Sequence, residues 1–431
     1  MSFSEWREVK LGDLVEVSSS KRIYAKEYVA SGIPFYRSKE IIEKSKSNDV
    51  STELYISKER FNELKNKFGA PSLGDILLTS VGTLGVPYIV RKEEFYFKDG
   101  NLTWIKNFKD NCHNKFIFYW LLSPDGVNQI NARCIGSTQK ALTIDTLKKF
   151  ELKIPPLDEQ KAIAHILSTL DDKIEVNNQI NKTLENMAQA IFKQWFVDFE
   201  FPNEDGESYK SSGGEMVESE LGMIPKGWEI VELCNIVLEN RRGFAPSYNK
   251  NDIGIPVINQ RCIRNHTIIE EAVKYHDNEV KKASEDVYHK PFDVLINSMG
   301  VGTLGRVSQV SKVEEERIVH SCITILRANK DIIEPIILGH MIKNLEAVIE
   351  MMGTGSTGQT SLNNKNLGML KVVLPPISIQ NEISVLLTKF LNKIDQNNIE
   401  SNKLVQIRDS LLLKLMSGEI RVPLDEEGGA S

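Results

Sequence analysis

Reactive motifs are scarce in this sequence. No G-x-x-x-x-G-K-[ST] phosphate loop occurs. Gly300-Val301-Gly302-Thr303-Leu304-Gly305 has the spacing of a dinucleotide fingerprint but opens no helix. Its counterpart Val81-Gly82-Thr83-Leu84-Gly85 lacks the leading glycine, so both read as tight turns between strands. The seven histidines (113, 165, 266, 276, 289, 320, 340) show no ligand spacing, which argues against a metal site. There is no G-x-S-x-G elbow and no Asn/Asp-Pro-Pro-aromatic motif, because Pro155-Pro156 and Pro375-Pro376 follow Ile154 and Leu374. Methyl transfer or DNA cleavage by this chain alone is therefore disfavoured, and the expectation is a binder with no catalytic residue. The five cysteines (112, 134, 234, 262, 322) form no Cys-x-x-Cys pair and read as thiols in a reducing cytoplasm. No run approaches ~18 apolar residues, so no membrane span is expected. Met1 to Trp6 has neither a basic start nor an apolar core, so no secretion signal is expected.

The chain has 431 residues, enough for two to four domains. Apolar residues make up 41% and charged residues 26%, as in ordinary soluble globular proteins. The net charge of −6 argues against a generic nucleic-acid coat, but it is uneven. Residues 197–221 carry eight acids and one base, Lys210; taking that −7 from the total of −6 leaves +1. A local basic surface is compatible with this distribution.

What the sequence does have is a duplication. Trp6, Val9, Leu11 and Leu14 return as Trp228, Val231, Leu233 and Ile236. Gly32-Ile33-Pro34 returns as Gly254-Ile255-Pro256, and Asp75-Ile76-Leu77 as Asp293-Val294-Leu295. Gly82-Thr83-Leu84-Gly85 is repeated unchanged as Gly302-Thr303-Leu304-Gly305. Pro155-Pro156 and Gln160 return as Pro375-Pro376 and Gln380. Such a duplication predicts two similar domains in a pseudo-two-fold arrangement, and duplex DNA is the commonest two-fold partner.

Residues 1–154 predict a mixed α/β domain, with strands over 32–36, 76–79, 88–90, 95–97 and 102–105 and short helices over 114–122 and 145–150. Residues 222–374 read the same way, with strands including 257–259, 294–298 and 322–326. Each Pro-Pro pair predicts a long helix, over 155–196 and 375–418, with Asp158 and Ser378 as expected N-caps. Apolar residues at steps of three and four predict that the two helices form a coiled coil. The stripe turns polar at Asn177 and Asn181, and at Asn397 and Ser401. These residues either set register or face solvent. Ile163, Phe192 and Phe196 serve either as docking faces or as core between helix and domain. Residues 197–221 read as an exposed acidic linker and 419–431 as a tail. Helices of ~38 residues reach ~55 Å at ~1.5 Å per residue, enough to hold two domains one DNA turn (~34 Å) apart.

The candidate DNA-contacting residues in the first half are Lys21, Arg22, Arg37, Lys39, Arg133, Ser137, Thr138, Gln139 and Lys140. In the second half they are Arg241, Arg242, Gln260, Arg261, Arg264, Ser356, Thr357, Gln359 and Thr360. Arginine matches the paired acceptors of guanine, glutamine can read an adenine edge, and Gly/Ser/Thr turns offer donors to phosphate. The alternative is that they form solvated surface loops.

Taken together, several segments resemble the specificity subunit of type I restriction-modification systems across nearly the full chain. They are Trp6 to Leu14, Gly227 to Leu233, the Gly-Thr-Leu-Gly turns and the Gly-Ser-Thr segments. Leu152 to Gln160, Leu170 to Asn181, Glu215 to Trp228 and Lys414 to Ile420 complete the set. The resemblance implies two α/β target-recognition domains, each reading half of a split double-stranded DNA site. They would be joined by two long antiparallel helices that set the gap. It also implies two methyltransferase subunits and a restriction/translocase subunit as partners. S-adenosylmethionine, ATP and magnesium are expected only in those partners, and no cofactor is expected here. The second helix departs from the pattern, with Ser378-Ile379-Gln380-Asn381 where the first has Asp158-Glu159-Gln160-Lys161.

Overall fold

Proline has no N–H to donate, so each Pro-Pro pair ends a strand and lets a helix begin directly after it. In a computed structural model of the chain these helices span Leu157–Phe196 and Ile377–Ser417. The structure describes residues 5–46, 50, 52–133, 141–249, 251–300, 302–312, 315–355 and 360–423. The expected caps Asp158 and Ser378 lie inside the first turns instead. The carbonyls of Pro156 and Pro376 accept the N–H groups of Gln160 (3.0 Å) and Gln380 (3.1 Å), so the prolines themselves hold the cap position.

The two glutamines explain why no side-chain cap is needed. Gln160 Nε2 donates to the carbonyls of Pro155 (2.9 Å) and Asn111 (3.0 Å), and its Oε1 accepts the His113 N–H (2.9 Å). Gln380 Nε2 donates to Pro375 (2.8 Å) and Ile332 (3.2 Å), and its Oε1 accepts the Glu334 N–H (2.9 Å). Both side chains are fully buried. His113 and Glu334 cap the helices Asn114–Leu122 and Pro335–Asn344. One buried amide therefore ties each long helix to the first turn of a domain helix.

The chain folds as two units, residues 1–177 with 399–431, and residues 178–398. Neither unit is a sequence repeat. Each combines one α/β domain with half of each long helix.

In the first unit a four-stranded antiparallel sheet runs in the order Glu16–Ser18, Leu102–Lys106, Ile76–Thr79, Pro87–Ile89. A smaller mixed sheet contains Ile33–Tyr36 and Tyr96–Phe97. Arg7–Lys10 pairs with Glu151–Ile154 and closes the domain. Charges alternate along Glu151–Ile154, and Arg7–Lys10 has a single apolar residue, Val9, so neither strand shows an apolar run. The core contains Leu11, Phe116, Trp120, Ile163, Leu167 and Leu415. Ile163 is therefore core between helix and domain. The two long helices run antiparallel here, as their cross-pairs show. Arg421 forks onto the buried Glu159 carboxylate (2.6 and 2.7 Å), Arg408 Nη1 meets Asp171 Oδ1 (2.8 Å), and Asn177 Nδ2 meets Ser401 Oγ (3.2 Å). Tyr119 joins through Asp171 Oδ2 (2.6 Å).

In the second unit the equivalent sheet is ordered Val237–Arg242, Ile323–Ala328, Val294–Asn297, Val307–Gln309. Glu229–Glu232 pairs with Lys371–Leu374, as in the first domain. Phe192, Phe196, Ile383 and Leu387 are buried in its core, so these aromatics too are core between helix and domain. Asn397 Nδ2 donates to Asn181 Oδ1 (2.8 Å), and Asn397 is buried. The asparagines thus pair across the seam, which favours the register role over a solvent-facing one. Residues 197–221, expected as an exposed linker, are folded. Phe199 and Phe201 pack on Trp228 at 5.5 and 5.2 Å, and Met216–Ser219 forms a hairpin with Gly222–Pro225. Two aromatics among the acids supply enough apolar surface to anchor the segment.

Behind this core, Lys343 Nζ bonds Glu185 Oε1 of the long helix (2.7 Å). Beside it, the His340 ring stacks on Phe192 at 5.9 Å. Burial, reinforced by the Lys343 charge, pushes His340 down to about 4 from its ordinary 6.5; Glu185 pulls the other way and His266 adds a little in the same direction.

Two expected outcomes follow from these contacts. Gln160→Ala or Gln380→Ala leaves two carbonyls and an N–H unpaired in a buried site, which should cost roughly 2–4 kcal/mol. The urea midpoint measures this, and Gln→Glu should not rescue it, because a carboxylate faces two carbonyls. The unfolded chain protonates His340 before the folded one does, so its stabilising contribution is complete above pH 6.5. That contribution is lost as pH falls from 6.5 towards about 4. His340→Phe should flatten this part of the stability–pH curve.

Candidate nucleic-acid interface

Each Gly-Thr-Leu-Gly segment is the turn of a hairpin, between Ile76–Thr79 and Pro87–Ile89 or between Val294–Asn297 and Val307–Gln309. Glycine is required there because Gly82, Gly85, Gly302 and Gly305 all have positive φ, between 72° and 88°. The serine before each turn anchors it in the same way. Ser80 Oγ is hydrogen-bonded to Thr103 Oγ1 (2.5 Å), and Ser298 Oγ to Thr324 Oγ1 (2.6 Å). The carbonyls of Ser80 and Ser298 accept the N–H groups of Leu142 and Leu362, both at 2.9 Å. The end of each Gly/Ser/Thr loop is thereby placed against the hairpin turn. These serines went unnoticed in the sequence, although they recur at matching positions before both turns.

In the first domain three stretches distant in sequence meet at one rim. The Asn101 carbonyl accepts both Ser38 Oγ (3.2 Å) and the Ser80 N–H (2.8 Å). Arg22 Nε reaches Asp99 Oδ2 (2.8 Å), and this carboxylate holds the exposed guanidinium above its ordinary value. Lys21 Nζ lies over the Phe68 ring at 5.3 Å. Arg37 is folded back on Glu40, with Nη2 at 2.5 Å from Oε1, at the start of helix Ser38–Ser45; Lys39 is exposed. Arg133 lies elsewhere, at the end of helix Pro124–Ala132. Its Nη1 donates to Gln129 Oε1 (2.8 Å) and to the Lys149 carbonyl (3.3 Å), and its guanidinium covers Phe150. With Lys10, Thr146, Lys149 and Glu151 it lines an open cleft of about 430 Å³. Ser137, Thr138, Gln139 and Lys140 lie outside the described residues.

The second domain builds its rim from Gln260, Gly300 and Thr360. The Gly300 N–H donates to the Thr360 carbonyl (3.3 Å), and the Gln260 amide lies beside Gly300. Asn297 Nδ2 fixes the Gln260 carbonyl (2.9 Å). Arg241 and Arg242 alternate along one strand and diverge. Arg241 turns to Glu239 (2.9 Å) and Asp286 (3.0 Å), whereas Arg242 turns inward to Asn364 and three carbonyls. Burial pulls the Arg242 guanidinium below its ordinary value. Arg261 and Arg264 are exposed, Arg264 on the hairpin Ile263–Arg264/Thr267–Ile268. Ser356, Thr357 and Gln359 lie outside the described residues. No helix among the described residues is long and apolar enough to cross a membrane.

The family described as the type I restriction modification DNA specificity domain matches residues 3–186 and again 225–406. A type I restriction enzyme MjaIX specificity subunit of Methanocaldococcus jannaschii is 27% identical over 434 residues, covering 97% of this chain and 94% of that protein. The HindI specificity subunit of Haemophilus influenzae is 25% identical over 359 residues, covering 71% and 77%. Among solved structures, a type I restriction-modification S subunit from M. genitalium aligns with a TM-score of 0.57 at 16% identity, covering 96% of each chain. That likeness supports the fold.

The hairpin turns make a graded prediction. A Cβ at Gly82 would meet nothing within 4 Å, so Gly82→Ala should cost only the left-handed strain, about 1–2 kcal/mol. At Gly305 a Cβ would also approach the Glu350 backbone to 3.1 Å. Gly305→Ala should therefore lower the urea midpoint more than Gly82→Ala.

Proposed function

We propose, from the premise that this chain belongs to the family of type I restriction-modification DNA specificity proteins, that it reads a bipartite DNA site, one half with each α/β domain. It is a specificity subunit, and the catalysis of such systems belongs to partner subunits. The observation that carries the finer reading is the paired rim. Each domain gathers a glycine hairpin turn, the end of a Gly/Ser/Thr loop and a polar segment from elsewhere in the chain, and the two sets differ in sequence. Similar frameworks with unlike loops suit two unlike half-sites. The recognition domains are residues 1–154 and 222–374, and the long helices between and after them set the gap. Two methyltransferase subunits and a restriction/translocase subunit dock on the chain. S-adenosylmethionine, ATP and magnesium act within those partners, in the cytoplasm.

The test is selection from random-sequence duplexes by the full chain assembled with its methyltransferase partner, followed by sequencing of the retained DNA. Two short conserved blocks at fixed separation are expected, with affinity falling steeply with salt. Uniform retention of all sequences refutes the reading.

A further inference from the structure

Arg242 is held by four hydrogen bonds in the second domain, and its anchors are unusual. Nη2 donates to the carbonyls of Leu362 (2.6 Å) and Ser298 (3.2 Å), Nη1 to the Ser321 carbonyl (3.4 Å), and Nε to Asn364 Oδ1 (3.1 Å). Four of its five N–H vectors are thus committed to neutral acceptors. No carboxylate among the described residues forms an ion pair with it. The acceptors belong to different pieces of the rim. Ser298 precedes the hairpin turn, Leu362 follows the Gly/Ser/Thr loop, Ser321 precedes strand Ile323–Ala328, and Asn364 opens helix Asn364–Gly368. A planar fork holding four acceptors fixes their mutual positions in a way an ammonium cannot. Among the described residues the first domain has no such fork: by strand register the equivalent is Ser19, whose side chain bonds there to the Leu102 carbonyl (3.5 Å) and the Gly100 N–H (3.4 Å).

We propose that Arg242 is a positioning residue for the second half-site, holding Ser298 before the hairpin turn and Leu362 after the Gly/Ser/Thr loop at a fixed separation without itself contacting DNA. This rests on the bipartite reading above. The sequence alone suggests a DNA contact for Arg242, and the two roles make different predictions. A phosphate contact survives in Arg242→Lys, which keeps the charge, whereas a four-acceptor fork does not.

The experiment repeats the random-duplex selection with full-length Arg242→Lys, Arg242→Met and Asn364→Ala, the last removing one anchor only. In both Arg242 variants one sequence block should be lost while the other and the salt slope stay as in wild type. Affinity for the wild-type site should fall by at least about tenfold, as expected when a few base contacts fail. Asn364→Ala should weaken the same block to a lesser degree. Retention of the other block shows that the chain is folded. Full recovery in Arg242→Lys, with a salt slope lowered by about one in Arg242→Met, identifies a phosphate contact and overturns the proposal. Unchanged selection by both Arg242 variants overturns it too. Absence of any preference in wild type instead defeats the bipartite reading.

Discussion

The architecture depends on a buried amide that follows a pair of prolines. A glutamine side chain has two donors and an acceptor, and at Gln160 and Gln380 all are spent where no water can substitute. The prolines make the site possible. They cannot donate, so their neighbours' carbonyls remain available, and they force the change from strand to helix at that point. The direction in which each long helix leaves its domain is set by those few bonds. Within each unit, the packing of the domain on its stretch of long helix inherits that direction.

Along the seam, small polar contacts accompany the apolar stripe. Asn177 with Ser401 in one unit, and Asn181 with Asn397 in the other, are the kind of pairs that lose their partners if a helix slides by one turn. The flanking charges differ between units. One has Tyr119, Asp171 and Arg408, and the other has Lys343 and Glu185. Related modules have thus kept the register device and diverged in the contacts around it.

Much of this was legible in the sequence. The strands at 76–79 and 102–106, the helix Asn114–Leu122 and both long helices announce themselves through β-branched runs, proline stops and a seven-residue apolar repeat. The closing strands Arg7–Lys10 and Glu151–Ile154 did not, since paired residues lie 141 to 147 positions apart and their outward faces are charged. Nor did the fold of residues 197–221, where acidic composition concealed Phe199 and Phe201. For the rims, the sequence could name candidate stretches but could not say which way a side chain turns. Arg241 and Arg242 are neighbours in sequence, and strand alternation sends one to carboxylates and the other to carbonyls.

The way the units divide the chain bears on which segments complete each core. Residues 178–398 are contiguous, and the core of the second domain draws on them alone. The first domain, by contrast, needs Leu415 for its core and Arg421 for the Glu159 carboxylate. The Arg421–Glu159 pair alone closes a separation of 262 residues. Loss of the segment around Leu415 should therefore open the core of the first domain and leave that of the second intact.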